Sequence, residues 1–222
     1  MQTAVSIRIR LGAVALGLAA FLLAVFPLVR PFFPLDVFEP ARGIALASPA
    51  FVSTAWTSSH YLAMLGFVLL QLGLLALYGF HAGSEAEPLA LRGLVWSLPG
   101  VALILPAFGV EAYTMPIVGQ LHLAGATGLA PIIALTYRGP MTMVLLLGQL
   151  ALAIGAFTLA VAIRRDRRLP HWAGFVLAIG LACWLPMLPR PVRVVDGLLI
   201  GLGGIPLAWR MWRAAEPPAQ QG

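Results

Sequence analysis

The sequence predicts an all-α integral membrane protein, a bundle of six transmembrane helices with both termini in the cytoplasm. The first observation is composition, since 60% of the 222 residues are hydrophobic and only 10% are charged. A soluble domain carries about 25% charged residues. The second is that the apolar residues form long runs, close to the roughly 20 residues that a helix needs to cross a bilayer. The third is that arginines concentrate on one side of these runs, which is typical of the cytoplasmic side.

The first run, at residues 11–29, follows a short basic segment, as the apolar region of a signal peptide does. Its length exceeds the about 7–15 residues that are usual in such peptides. Phe26, Pro27 and Arg30 stand where a cleavage site of small residues would be expected. We therefore predict a first span that is retained.

Five further runs complete the predicted bundle. The most uniformly apolar is residues 141–163, and the last run is weakened by Asp196 and several glycines. Residues 1–213 are predicted to form a single transmembrane domain without soluble domains, followed by a disordered tail at 214–222. The predicted spans after the first lie at about residues 59–80, 93–113, 141–163, 171–188 and 194–212.

Two segments are neither clear spans nor free loops. Residues 30–58 are rich in proline and aromatic residues, which predicts an ordered outer loop on the membrane with one short interfacial helix. Residues 114–140 are too long for an ordinary connection between helices. We predict a re-entrant or interfacial segment that caps the outer face between spans three and four, because irregular backbone at that depth must be covered by protein. A seventh span is the alternative, and it would reverse the orientation of everything after it.

The orientation follows from 14 arginines, because the chain contains no lysine. With six spans and a cytoplasmic N-terminus, nine arginines lie inside and five outside. The loop RRDRR at 164–168 would face outward if there were a seventh span, which argues against one. The net charge of +6 is explained by topology and by phospholipid head groups rather than by nucleic acid. The inner arginines are Arg8, Arg10, Arg92, Arg164, Arg165, Arg167, Arg168, Arg210 and Arg213, and the outer ones are Arg30, Arg42, Arg138, Arg190 and Arg193.

Motifs for cofactor chemistry are missing from the sequence. Cys183 is the only cysteine, which excludes an intramolecular disulfide and a cluster of thiolate ligands. There is no phosphate-binding glycine loop and no nucleophile elbow. The sequence therefore predicts no cofactor.

Glu111 is the residue that most needs an explanation, because a carboxylate in hydrocarbon is costly. It lies about 18 residues into the third span, or about 27 Å along a helix, which is nearly the thickness of the membrane. His60 stands in the first turn of the second span, at the same outer border. Since spans joined by a short connection are antiparallel neighbours, we expect His60 and Glu111 to be able to meet. His122, on the segment that follows, could join them.

Three interpretations of these candidate site residues stay open. His60 and Glu111 form either a hydrogen-bonded lock between two helices or part of a binding or catalytic pocket, in which the pair could pass a proton. Together with His122 they also match a ligand set that zinc or iron accepts. No motif with tight spacing, such as HExxH, fixes a metal geometry.

Two spans that run from outside to inside share a pattern. Each carries two glycines seven residues apart, which favour close helix packing, and one glutamine, which usually bridges helices. The residues are Gly66, Gly73 and Gln71 on one span, and Gly148, Gly155 and Gln149 on the other.

The remaining polar and aromatic residues are expected near the membrane borders. Asp196 should pair with Arg193 or Arg190 at the outer surface. His81 and His171 flank inner loops and should lie among head groups. The tryptophans assigned to the aromatic belts are Trp56, Trp172, Trp184, Trp209 and Trp212.

Two sequence stretches carry a resemblance. The stretch WTSSHYLAMLGFVLLQLGLLALYGF, which starts at Trp56, has a Trp-x-x-x-His entrance to one span, and EAYTMP places Glu111 and an alanine near the end of the next. Together they resemble a broad set of uncharacterised multi-spanning bacterial membrane proteins. The resemblance covers residues 56–116 and does not extend to His122 or Asp196. It implies no known activity.

These observations predict a multi-pass protein of the bacterial inner membrane with a polar pocket on its outer side. The pocket is expected to bind a small molecule or lipid, or the protein to serve as an accessory subunit of a larger membrane complex. The alternatives are a membrane-embedded enzyme that uses His60 and Glu111 as an acid–base pair or metal ligands, and a small transporter. The expected partners are the lipid bilayer and either other membrane chains or a second copy of this one.

Overall fold

The computed structural model of the chain describes residues 2–32, 39–185 and 188–216, and within these ranges all regular secondary structure is helical. One π-helical turn, Val110–Thr114, joins α4 to α5 without a break. The helices are α1 (Gln2–Val29), α2 (Pro40–Phe51), α3 (Thr54–His81), α4 (Glu87–Gly109), α5 (Met115–Leu123), α6 (Ala130–Arg138), α7 (Pro140–Asp166), α8 (His171–Cys183) and α9 (Arg190–Ala214).

Within the described ranges, five stretches of helix are long and apolar enough to cross a membrane, which confirms the predicted all-helical class. The helix α8, which corresponds to the predicted fifth span, is apolar but has only 13 residues. It is about 20 Å long, which is less than the roughly 30 Å of a bilayer core. The five stretches are Ala4–Val29, Thr54–His81, Glu87–Leu123, Ala130–Asp166 and Arg190–Ala214.

Within the predicted fifth span, residues 171–188, the helix α8 ends at Cys183, and residues 186–187 lie outside the described residues. Trp184 leaves the helical conformation and its side chain is buried in the core. The Gln149 side chain on α7 donates hydrogen bonds to the carbonyls of Leu181 and Ala182. These carbonyls in the last turn of α8 are therefore bonded to a side chain instead of to the backbone of a longer helix. This bond also bears out the expected bridging role of Gln149.

The long helices and α8 form a closed ring in chain order. α1 packs on α3, α3 on α4, α4 on α7, α7 on α8, α8 on α9, and α9 returns to α1. Successive members of the ring run in opposite directions. One end, called here the Glu111 end, collects the C-termini of α1, α4 and α8 and the N-termini of α3, α7 and α9. The opposite end is called the His81 end.

Glycines set the closest helix contacts, as their spacing predicted. A Cβ added at Gly100 on α4 would lie 2.5 Å from the backbone nitrogen of Leu152 on α7, and one added at Gly155 would lie 2.6 Å from the Gly93 carbonyl oxygen. On α3, a Cβ at Gly73 would lie 2.7 Å from Leu16 Cβ of α1. Helix backbones can approach this closely only where side chains are absent.

Apolar side chains fill the interior of the ring from its middle towards the His81 end. They come from α3 and, on the other side of the ring, from the adjacent helices α7 and α8. These buried residues are Leu70, Leu74, Leu77, Leu152, Leu159, Leu177 and Leu181.

A second, smaller core lies at the Glu111 end, where α2, α5 and α6 pack together and over the start of α3. These three short helices are called here the cap. The helix predicted within residues 30–58 is α2, although residues 33–38 of that segment lie outside the described residues. The core of the cap contains Ile44, Ala47, Phe51, Trp56, Met115, Val118 and Ile133.

The segment 114–140 is helical apart from a connection at residues 124–129 and the extended residue Gly139 between α6 and α7. α5 and α6 have nine residues each, or about 14 Å, which is too short for either to form a separate span. α5 continues α4, and α6 leads into α7. Of the predicted disordered tail, Ala214 belongs to α9, and residues 217–222 lie outside the described residues.

Replacing Gly100 by alanine should separate α4 from α7, because the new methyl group would meet backbone that cannot move aside. We expect Gly100→Ala to lower the free energy of unfolding by about 1–3 kcal/mol, measured by denaturant titration in mixed micelles. The control is Gly79→Ala on α3, where an added Cβ meets nothing within 4 Å. The control should be neutral or stabilising by up to about 1 kcal/mol, and equal losses in both variants would refute this packing argument.

Candidate functional site

The first turn of α3 positions His60. Ser53 caps the helix, and its hydroxyl oxygen accepts a hydrogen bond from the Trp56 backbone N–H at 3.1 Å. One turn later His60 is buried, and its Nδ1 lies 2.7 Å from the Trp56 carbonyl oxygen. A carbonyl can only accept, so Nδ1 carries the proton and donates it.

The backbone at Glu111 has an unusual hydrogen-bond pattern. The Met115 N–H bonds to the Val110 carbonyl, five residues back, instead of to Glu111. The next N–H along the chain would belong to Pro116, which has none. The Glu111 carbonyl is therefore left without a helical donor, and it accepts the indole N–H of Trp56 at 2.7 Å. Single π-helical turns of this kind are frequent at functional sites.

Trp56 connects the two residues that the sequence placed together. Its carbonyl accepts from His60, and its indole donates to the Glu111 carbonyl. Among the described residues, the hydrogen bonds of His60 and Glu111 thus meet at Trp56 rather than joining the two side chains directly. Both residues lie at the same end of the bundle, as expected, and Trp56 links them. A direct contact, which the sequence left open, is not among the hydrogen bonds of the described residues.

His122 is separated from the other two candidates. It lies near the end of α5, 11 residues after Glu111 in a continuous helix, which is about 16 Å along the axis. The side chain is half-buried on the cap. In the described part of the chain, no three His, Cys, Asp or Glu side chains come together as a metal-binding group.

Below Trp56 the rings of several aromatic residues contact one another, and they are called here the aromatic cluster. The His60 ring lies 4.5 Å from Trp56, 5.6 Å from Phe26 and 5.8 Å from Phe108, centroid to centroid. Trp184 lies 5.3 Å from Phe108. The cluster is formed by Phe26, Trp56, His60, Phe67, Phe108 and Trp184.

The assignment of Trp56 and Trp184 to the aromatic belts is wrong. Both are buried, at 0% and 4% exposure, because they pack in the aromatic cluster. Trp172 and Trp209 are exposed near the His81 end, where a belt residue would be.

Charged and hydroxyl side chains gather beside the aromatic cluster, and they are called here the polar cluster. The guanidinium carbon of Arg30 lies 4.4 Å from the centroid of the Trp56 ring, and that of Arg193 lies 5.4 Å from the centroid of Phe26. Both arginines are close enough for their charges to act on the Glu111 carboxyl. The polar cluster comprises Arg30, Glu111, Tyr137, Arg193 and Asp196.

Several atoms of the polar cluster are buried without a hydrogen-bond partner among the described residues. They are Glu111 Oε2, the Tyr137 hydroxyl, Arg193 Nη2 and Asp196 Oδ2. The Tyr137 hydroxyl faces the Glu111 carboxyl, but within the described ranges it does not complete a hydrogen bond to it.

The expected surface ion pair of Asp196 is also wrong. Asp196 and Arg193 are 3% and 6% exposed, because α9 turns both towards the interior of the ring. Their charges act on each other, but no pair of their charged atoms forms a salt bridge.

Sequence reading missed Arg30, Arg193 and Tyr137 as site residues, because a single arginine near a span end is equally typical of a topology signal. The sequence signal that could have identified this site is the spacing of Arg193 and Asp196. Three residues apart on an apolar helix, they lie on the same face.

A second polar group ties the helices together at the His81 end. His81 Nδ1 contacts Asp166 Oδ2, and Arg168 donates from Nε to Asp166 Oδ1 at 2.6 Å and from Nη2 to the Phe80 carbonyl at 2.8 Å. The hydrogen bond to Asp166 raises the pKa of Arg168 above its ordinary value. The prediction that His81 lies among head groups is wrong, since its side chain is fully buried.

Comparisons with protein-family models, with curated proteins and with solved structures yield no match for this chain. The site therefore has to be interpreted from its own geometry.

Replacing Trp56 by phenylalanine keeps a ring in the aromatic cluster but removes the N–H that satisfies the Glu111 carbonyl. We expect Trp56→Phe to lower the free energy of unfolding by about 1–3 kcal/mol, the cost of an unsatisfied buried acceptor. The control Trp96→Phe removes an indole N–H from a side chain that is 49% exposed, and it should change little. Thermal unfolding of both variants in one detergent provides the measurement, and a Trp56→Phe protein as stable as the control would contradict the proposed role of this bond.

Proposed function

We propose that this protein is a six-span protein of the bacterial inner membrane whose polar cluster faces the outside and binds a small amphiphilic molecule or a membrane lipid. The observation that carries the proposal is the set of buried, unpartnered polar atoms of the polar cluster, which lies directly against the aromatic cluster. A polar head group would satisfy these atoms, and the rings would exclude water beside it.

The energetic argument is that burying a polar or charged atom without a hydrogen bond costs several kcal/mol. Arg193 and Asp196 are both buried and each retains an unpartnered atom among the described residues. Removing water and completing the hydrogen bonds with a ligand would offset this cost. Ionisable side chains that are buried away from water beside apolar rings are typical of functional pockets.

Two observations support placing the Glu111 end outside. Most arginines belong to the His81 end, including the four of residues 164–168, as expected for a cytoplasmic face. The exposed rings of Tyr61 and Tyr113 lie 5.7 Å apart beside the site, which is typical of tyrosines at head-group depth. The short helix α8 would be the sixth span, with its end covered by protein, and both termini would then be cytoplasmic.

A second candidate function is an accessory subunit of a larger membrane complex or an oligomer of this chain. It is favoured by apolar side chains that the cap leaves exposed on α5 and α6. These are Ile117, Leu121, Leu123 and Leu135.

The enzyme and transporter interpretations receive less support. His60 already donates its Nδ1 proton to a backbone carbonyl and is packed among rings, which leaves it poorly placed for the proposed direct proton exchange with Glu111. A transporter would need polar groups along the ring interior, where leucines are found instead.

The ligand hypothesis predicts that protein purified in mild detergent carries a bound amphiphile. Native mass spectrometry should detect a discrete adduct on the wild type and a loss of most of it in Glu111→Gln, because that change removes the carboxylate and its charge. The matched control is Glu39→Gln, an exposed carboxylate at the same end of the bundle, whose side chain is 68% exposed. Adducts of equal occupancy in all three proteins would refute ligand binding at Glu111, and other membrane chains bound in place of an adduct would support the accessory function.

The proposed orientation can be tested by labelling with a membrane-impermeant maleimide. In a Cys183→Ser background, Arg42→Cys should react in intact cells, because α2 would be outside. Arg165→Cys should react only after the membrane is permeabilised. The reverse pattern would overturn the orientation, and reaction of both positions in intact cells would overturn the number of spans between them.

A further inference from the structure

Two contacts between arginines and tryptophans lie at the His81 end, where α1 begins and α9 ends. The guanidinium carbon of Arg10 on α1 lies 4.0 Å from the centroid of the Trp212 ring on α9, and that of Arg213 lies 5.2 Å from the centroid of Trp209. The two tryptophans are three residues apart on one helix, which makes them neighbours on its surface. These four side chains therefore share one small region, called here the arginine–tryptophan site.

Arg10 is held in place but keeps donors that the protein does not use. Its Nε is buried without a hydrogen-bond partner, whereas its two Nη nitrogens are not among the buried unpartnered atoms. In the described part of the chain, its guanidinium has no carboxylate within salt-bridge distance. A guanidinium stacked on a ring directs its N–H groups outward in its own plane. The Nη donors of Arg10 are therefore accessible to an anion.

Positive charge is in excess around this site. The described ends of α1 and α9, residues 2–10 and 209–216, carry four arginines and one carboxylate, an excess of three positive charges. That carboxylate, Glu216, lies 3.9 Å from Arg213 Nη1 and makes no such contact with Arg10. An anion is attracted to this region, whereas a zwitterionic head group would bring a further cation among the arginines. The four arginines are Arg8, Arg10, Arg210 and Arg213.

The same face of α9 offers a place for apolar chains. Exposed apolar side chains follow one another at intervals of four, three and four residues, which keeps them on one face. An anion at Arg10 would lie beside Trp209, the belt residue at the end of this series, with hydrocarbon contacts along the face. A phospholipid has both parts, and an acidic peptide has no acyl chain to place there. The series is Leu198, Leu202, Ile205 and Trp209.

We infer that the arginine–tryptophan site binds the phosphate of an anionic phospholipid such as phosphatidylglycerol, with Arg10 as its main donor and Arg213 as a second cation. A guanidinium matches the oxygens of a phosphate with parallel hydrogen bonds. Basic pockets between transmembrane helices on the cytoplasmic side bind anionic head groups, and the proposed orientation gives that side to the His81 end. The site is at the opposite end from the polar cluster and does not depend on the ligand bound there.

The head-group preference can be measured by native mass spectrometry of the full chain, titrated with lipids that share the same acyl chains. The titrations use Glu111→Gln, so that binding at the polar cluster does not mask the second site. We expect phosphatidylglycerol to bind at least about tenfold more tightly than phosphatidylcholine or phosphatidylethanolamine, the ratio that one charge-assisted hydrogen bond can supply. Equal or tighter binding of either zwitterionic lipid would overturn the inference, and so would displacement of the lipid by an equal concentration of inorganic phosphate.

The position of the site can be tested by adding Arg10→Gln, which removes the stacked guanidinium. We expect it to weaken binding of phosphatidylglycerol by about tenfold and to leave phosphatidylcholine unchanged. The control Arg8→Gln removes the same charge from an exposed arginine two residues earlier on α1. It should weaken binding less, because its charge acts only through screened solvent. Equal losses in the two variants would indicate diffuse attraction and overturn the site.

Thermal unfolding identifies any variant that does not fold. If Arg10→Gln is among them, Trp212→Leu decides in its place, because it removes the ring under Arg10 and keeps the charge. It should weaken binding of phosphatidylglycerol by about threefold, the loss expected from one cation–π contact. The control Trp172→Leu removes an exposed ring at the same end, on α8, and should change nothing. Binding as tight in Trp212→Leu as in this control would overturn the inference.

Discussion

The hydrogen bond from the Trp56 indole to the Glu111 carbonyl organises the Glu111 end of this protein. It arises because the Met115 N–H bonds one residue further back than in an α-helix and Pro116 has no N–H. The Glu111 carbonyl lies in largely apolar surroundings, so it needs a hydrogen-bond donor from elsewhere in the chain. By meeting that need, Trp56 joins the start of α3 to the end of α4. Its carbonyl also accepts a hydrogen bond from His60 Nδ1, and the Arg30 guanidinium lies over its ring.

The two ends of the bundle handle buried charge in different ways. At the His81 end, Asp166 has hydrogen-bond partners on both oxygens, from His81 and from Arg168, and the group acts as a lock between α3 and the end of α7. At the Glu111 end, Arg193 and Asp196 face each other's charge but retain unpartnered atoms among the described residues. His81 Nε2 is also buried without a partner among the described residues, so the difference lies in the carboxylates. Both oxygens of Asp166 are satisfied, whereas Glu111 and Asp196 each keep an unpartnered oxygen. This difference is the physical reason for assigning a structural role to the first group and a binding role to the second.

Sequence reasoning succeeded where one residue type has one physical consequence. Glycines such as Gly148 and Gly155 predicted close helix contact, and Gln149 predicted a bridge between helices. It failed where a residue type has two common roles. Trp184 is amphipathic enough for a membrane border but is buried in the core, and Arg193 is charged enough for a surface but points inwards. Depth along a helix can be counted from the sequence, whereas the direction of a side chain around the helix depends on which neighbours pack there.

The sequence by itself determined the helical class, the positions of most apolar helices and the placement of His60 and Glu111 at one end, because these follow from composition and from the rise of a helix per residue. Only the tertiary structure decided that Trp56 lies between them and that His122 lies apart. It also decided that Arg30, just after α1, and residues from α6 and α9 complete the polar cluster. The ring closes by α9 packing against α1, and contacts between helices so distant in the chain depend on side-chain packing that no local pattern encodes.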